Sequence, residues 1–339
     1  MRPVSRRSFL ATTAATAVAA PFIGLRPADA AEFTFKYGGI VAVDHPLTQG
    51  VMRAAAAVRE KSNGRLEIRV FPNSQLGSEM DMLTQLRAGA LEFLTTSGLE
   101  LASLVPGASV SGVGFAFSDF PDVWKALDGR LGQHLRDEIG KSGLVVFERI
   151  WNSGFRQVMT TGKPITTPAE LKGFKLRVPS SPMWISLYRA LEATPVSINW
   201  GEVYTALQTK IVDGVDASLV SFNTAKLYEV QKHCSLTNHM WDGYWMLASR
   251  RSFDRLPADL RDLVTQEFNA AALWQRAEIE RQTATMQDQL AKQGMTIHKP
   301  DTAAFQDALR RAGYYAEQRA KFGEDAWALL ESSVGKALG

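Results

Sequence analysis

FTFKYGGIVAVDHPLTQGVMRAAAAVREKSNGRLEIRV, residues 33–70, carries two periodicities in succession. Phe33, Phe35 and Tyr37 alternate with polar residues, which is the period of a strand with one buried face. A helix is expected from about His45 to Lys61, with Asn63-Gly64 as its stop. Leu66, Ile68 and Val70 then alternate again. Strand, helix and strand at this length make the β-α-β unit that a parallel sheet requires.

The same alternation continues along the chain. A helix is expected to begin near Ser78, with Met82, Leu83 and Leu86 on one face and Gly89 at its end. Leu91 and Phe93 open a short strand, and GLVVFERI (Gly143–Ile150) reads as a buried one. A second unit starts near Phe155 with FRQVMTT. Thr167, Pro168 and Glu170 then have the spacing of an N-cap, a first helical position and a capping box. In GFKLRVPSSP (Gly173–Pro182), Phe174, Leu176 and Val178 alternate with Lys175 and Arg177, and Pro179 stops the strand. In NWGEVYTALQTKIVDG (Asn199–Gly214), Asn199 is expected to cap a helix with Glu202 reaching back. Val203, Leu207 and Ile211 would form its buried stripe, and Gly214 its left-handed stop. Val215–Val220 would follow as a strand. A long helix from about Pro257 to Gln293 would span roughly 50 Å, enough to cross two units. MTIHK and amphipathic helices end the chain. The pattern is α/β, with parallel sheets covered on both faces. A length of 339 residues favours two domains.

The first thirty residues follow a different logic. Arg6 and Arg7 precede an apolar run, Phe9–Ala20, and Ala28-Asp29-Ala30 has a small-x-small cleavage pattern. This order reads as a twin-arginine signal peptide over residues 1–30, rather than a disordered basic tail. Residues 1–30 hold four arginines and one aspartate, so 34 basic and 34 acidic residues remain beyond them. The excess of positive charge is mostly an export signal, and no nucleic-acid footprint remains. Cys234 is the only cysteine, which rules out an intrachain disulfide.

Catalytic motifs are scarce. The five histidines have no metal-ligand spacing with one another or with the cysteine, and no cofactor or dedicated metal cage is expected. There is no GxSxG elbow, no P-loop and no GxGxxG after a strand. Nothing argues for an enzyme. What stands out is Arg177 at the carboxyl end of a strand, where open α/β sheets bind ligands. A guanidinium there suits a carboxylate. Trp184, Trp200, Phe222, Trp241, Tyr244 and Trp245 supply aromatic surface in the same third of the chain, as core or as pocket wall.

Three segments carry a resemblance: TPAELKGFKLRVPSSP, NWGEVYTALQTKIVDGVD and TNHMWDGYWMLASRRSFDRLP. With LGSEMDMLTQLRAGALEF (Leu76–Phe93), they resemble the solute-binding proteins of tripartite ATP-independent periplasmic (TRAP) transporters. The resemblance implies a two-lobed periplasmic-binding-protein fold, with two doubly wound sheets joined by a hinge and a long spanning helix. Lobe I would comprise residues 31–153 with 242–281, and lobe II 154–241 with 282–339. It also implies a soluble periplasmic monomer that passes a small organic acid to TRAP permease membrane subunits. By position, Arg177 matches the arginine that grips the ligand carboxylate, Arg156 a second basic residue and Glu79 a cleft-lining acid. Phe222 falls where an aromatic packs on the ligand. Ala217 stands where many members carry asparagine, so that polar contact is lost or transferred to Asp216. Trp184, Trp200, Trp241 and Trp245 complete the expected site. The aromatic supply and the asparagine lost at Ala217 lean towards a monocarboxylate with an apolar or aromatic portion, such as a 2-hydroxy or 2-oxo acid. A ligand sensor for a signalling receptor and an exported enzyme acting on a carboxylate are the alternative readings.

Overall fold

The computed structural model describes residues 31–339, and the signal peptide expected over residues 1–30 lies outside them. Eleven strands form one mixed sheet: β1 (Phe33–Gly38), β2 (Leu66–Phe71), β3 (Phe93–Ser97), β4 (Leu144–Val146), β5 (Trp151–Thr160), β6 (Lys175–Val178), β7 (Thr194–Ser197), β8 (Gly214–Ser218), β9 (His233–Ser235), β10 (Trp241–Ser249) and β11 (Thr296–His298). The order is β2-β1-β3-β10-β5-β8-β6-β7; β4 pairs with β10, and β9 pairs with β5 and β11.

Each end of this path is parallel, as the β-α-β reading requires. β1 pairs in parallel with β2 and β3, and β6 with β7 and β8. The middle corrects the expectation of purely parallel sheets. β10 runs antiparallel to β3, β4 and β5, and β5 antiparallel to β8 and β9. These two long strands lie side by side between the two parallel ends of the sheet.

The first β-α-β unit forms where its sequence places it. Helix Pro46–Lys61 has His45 as N-cap, with Nδ1 accepting the Leu47 N–H at 3.0 Å, and buries Leu47, Val51, Ala54 and Val58. The next helix, Glu79–Ala88, is fixed at both ends. Ser78 and Asp81 close a reciprocal capping box, and Gly89 (φ +75°) ends it in the left-handed region that a side chain disfavours. Thr167 and Glu170 also close their box, but around a single 3-10 turn, Pro168–Leu171.

The 199–214 segment departs from its expected helix. Asn199 makes no side-chain cap, and a 3-10 turn (Trp200–Glu202) leads into a helix of only six residues, Val203–Gln208. Ile211 therefore leaves the apolar stripe and is 58% exposed. Gly214 opens β8, and the left-handed residue of the turn is Lys210 (φ +59°). β8 stops at Ser218, so Leu219 and Val220 belong to the next helix, Leu219–Thr224. Only Leu144–Val146 of the expected 143–150 strand is paired.

Helix Ala258–Lys292 runs 35 residues, roughly 50 Å. Leu260, Val264 and Phe268 pack with Phe93, Phe147 and Met246 in one apolar cluster. Ile279, Met286 and Leu290 pack with Val215, Phe222 and Cys234 in another. The helix thus supports both halves of the sheet. Midway, Gln275 pairs with the Asn152 backbone through both amide atoms (2.9 and 2.7 Å), locking the helix to β5. The last helix, Glu324–Val334, lies in sequence within lobe II as divided above, yet it packs on helices Phe120–Leu127 and Arg130–Gly140.

Candidate functional site

A cavity opens where β5, β6, β8 and β10 meet the amino end of helix Glu79–Ala88. Arg156 and Arg177 come from the second half of the sheet. Glu79 and Glu100 come from the first. The two arginines are both buried but differently committed.

Arg156 on β5 is wired into the protein. Its Nε donates to Asp216 Oδ1 and its Nη2 to the Asp216 carbonyl (2.8 Å). Its Nη1 lies 3.6 Å from Asp242 Oδ2, and its guanidinium covers the Trp184 ring at 4.8 Å. Asp216 Oδ2 also accepts from the Tyr188 hydroxyl and His239 Nε2, each at 2.8 Å. Burial alone would raise the Asp216 pKa; the Arg156 charge and then His239 overcome it and hold the carboxyl down to about 2. For Asp242 the balance goes the other way. Burial pushes it up to about 6 against the pull of Arg156.

Arg177 on β6 is different. It is 2% exposed. Its Nε and Nη2 both donate to the Ile198 carbonyl, at 2.9 and 2.7 Å. Its Nη1 is buried and has no partner, and the guanidinium forms no ion pair among the described residues. Trp200 lies under it at 5.4 Å. Burial, and then repulsion from Arg156, push its pKa down to about 10. This is a desolvated cation facing a cavity without its anion, a state that a carboxylate ligand would relieve.

The acids facing these cations are held close to neutrality. Glu79 Oε1 accepts from Thr96 Oγ1 (2.5 Å) and the Ser97 N–H (2.9 Å). Burial still raises its pKa to about 7. Glu100 is raised to about 9, first by burial and then by Glu79.

A serine and a histidine also meet at the cavity, and their geometry argues against a nucleophile. His45 Nδ1 accepts a backbone N–H, so Nε2 carries the proton and donates to Ser221 Oγ at 3.1 Å. The hydroxyl of Ser218 donates to the same Oγ at 3.0 Å. Ser221 is therefore an acceptor from its histidine, and no base is poised to take its proton.

Of the residues singled out in the sequence, Arg177, Arg156, Glu79, Trp184 and Trp200 line the cavity. Asp216 stands behind Arg156 with both oxygens occupied, so it is not free to replace the polar contact that Ala217 lacks. Phe222 is buried in the second-half core. Trp241 packs edge-on against Phe117 and Trp124 and donates to Asn152, and Trp245 is buried in the same core. These three do not reach the cavity. Along β10, Trp241, Trp245 and Leu247 face one apolar cluster, while Tyr244, Met246 and Ala248 face the other. The cavity takes Asp242 and Tyr244 from that second face. Asp242, Glu100 and the cavity serines were not singled out for the site. For Asp242 the available signal was its register with Tyr244; for Glu100 there was none.

Two α/β lobes and a charged cavity lined from both halves of the sheet define a ligand-binding protein. Residues 37–319 match the model of the bacterial extracellular solute-binding protein family 7, and the chain belongs to that family. It is 31% identical over 253 residues to the 2,3-diketo-L-gulonate-binding periplasmic protein YiaO of Escherichia coli, covering 74% of this chain and 77% of that one. It is 34% identical over 286 residues to the uncharacterized protein y4mM of Sinorhizobium fredii, covering 84% of this chain but only 51%, about half, of that relative. Among solved structures it is similar to a TRAP periplasmic solute-binding protein of Sulfurospirillum deleyianum with bound succinate. That match has 32% identity and a TM-score of 0.84, covering 91% of this chain and all of the other.

Proposed function

We propose that this chain is a periplasmic solute-binding protein that encloses a small organic acid between its lobes and delivers it to a TRAP-type permease. The ligand carboxylate docks on Arg177, and Arg156, held by Asp216, adds positive potential from the adjacent strand. The observation that carries this reading is the buried Nη1 of Arg177, unpartnered and without a counter-ion at the cavity. A bidentate fork meets a carboxylate with two parallel hydrogen bonds, which lysine does not reproduce. Export by the residue 1–30 signal and the lobe division given above belong to the same reading. So does the absence of catalysis. Mass spectrometry of the small molecules released from denatured protein tests it. One carboxylate per chain is expected; a neutral sugar or a cationic ligand would overturn it.

A further inference from the structure

We propose that Glu100 selects among acids by hydrogen bonding an oxygen substituent on the carbon next to the ligand's carboxylate. The inference rests on the carboxylate docking at Arg177.

Glu100 reaches across the cleft. It precedes the 3-10 turn Leu101–Ser103 in the first lobe, and its Oε1 accepts the N–H of Ser180 in the second at 3.0 Å. Ser180 lies three positions after Arg177, just past the proline that stops β6. The Glu100 carboxyl is thereby pinned beside the strand end that bears the anion-binding cation. Its other oxygen, Oε2, is buried and has no partner, and Glu100 is one of the residues that line the cavity.

Arg177 and Glu100 thus line one cavity, each with a buried unpartnered polar atom, Nη1 and Oε2, and they form no ion pair with each other. A ligand that fills the space has to serve both. Its carboxylate serves Nη1. For Oε2 the neighbouring substituent counts. A hydroxyl can accept from a protonated Glu100 or donate to an ionised one. A methylene can do neither and leaves a buried oxygen unpaired. Sites built around such a contact discriminate against the analogue that lacks it, here by roughly ten- to a hundred-fold. Burial beside Glu79 favours the protonated carboxyl, which also accommodates a 2-oxo group.

The test uses matched acids that differ only at that carbon: lactate and propionate, malate and succinate, D-gluconate and 2-deoxy-D-gluconate, with both enantiomers of lactate and malate. The full chain, freed of ligand by unfolding and refolding, is titrated by calorimetry. The wild type should bind the hydroxy acid of at least one pair about tenfold or more tightly than its deoxy partner. Glu100→Met, which keeps the volume, should bring that ratio close to one, and Glu100→Gln should restore part of it. Acids that bind with no 2-hydroxy preference in the wild type, or with the preference intact in Glu100→Met, overturn this proposal alone. Failure of every acid to bind at millimolar concentration overturns the carboxylate reading and this proposal with it.

Discussion

Replacing Arg177 with methionine should leave the ligand-free fold nearly as stable as before while removing most of the affinity for the acid. The guanidinium is 2% exposed and forms no ion pair among the described residues. Its displacement to about 10, caused by burial and by Arg156, corresponds to about 3 kcal/mol against the charged form. The sign is that of a depressed cation: below that pKa the charge opposes folding, so at neutral pH it adds no stability. Against this stand the two hydrogen bonds to Ile198; because they share one carbonyl oxygen, together they are worth little more than one charged-donor bond, about 3 kcal/mol. The opposing effects nearly cancel, and methionine fills much of the space. The ligand-free variant should lie within about 2 kcal/mol of wild type by urea unfolding. Ligand binding responds differently, because the bound carboxylate is then buried unpaired. That costs about 2–5 kcal/mol, or roughly thirty-fold to several thousand-fold in Kd. Calorimetric titration with the co-purifying acid measures it. Wild-type affinity in Arg177→Met, or a ligand-free fold weakened by more than about 4 kcal/mol, would refute the reasoning.

Asp216→Asn should destabilise the fold by about 3–5 kcal/mol, because it deprives buried Arg156 of its nearest anion; a loss under about 1 kcal/mol in urea would mean that Asp242 alone suffices. The ligand-free melting temperature should fall as pH rises from about 5 to about 9. Burial raises Glu100 to about 9, Glu79 to about 7 and Asp242 to about 6, so the fold holds their protons more tightly than the unfolded chain does. Their contribution is complete below the ordinary carboxylate range and is lost as pH rises through those values. Glu79→Gln should flatten the middle of that fall, and a flat or rising wild-type profile would contradict the assignment. His45→Ala should cost about 1 kcal/mol more than His45→Asn, since asparagine can still cap helix Pro46–Lys61; equal losses in urea would show that the cap contributes nothing.

Periodicity made much of the frame readable. The first β-α-β unit and the 35-residue helix follow from apolar spacing and end signals, because one face of each is buried and the other is not. β10 is buried along all nine residues, so no alternation marks it as a strand. That also hid the mixed sheet, because antiparallel pairing at the centre has no local signature. In the site, Arg177 was legible because Pro179 fixes where β6 ends and which strand end the arginine occupies. The tryptophans of β10 were misplaced for want of register: a one-residue offset exchanges cavity for core. Glu100 was invisible because its role depends on a contact with Ser180, eighty positions away.

β5 and β10 cross between the lobes side by side, and both are irregular at the same level. Gly154 sits at φ +100° opposite Asp242, and the register slips between Asp242 and Gly243. Spreading the lobes would therefore flex a hydrogen-bonded ribbon rather than swing slack tethers. Such a joint behaves like a leaf spring, with a restoring force that favours one angle. Arg156 and Asp242 sit at that level of the ribbon, so the charges nearest the ligand site lie where the two strands are irregular.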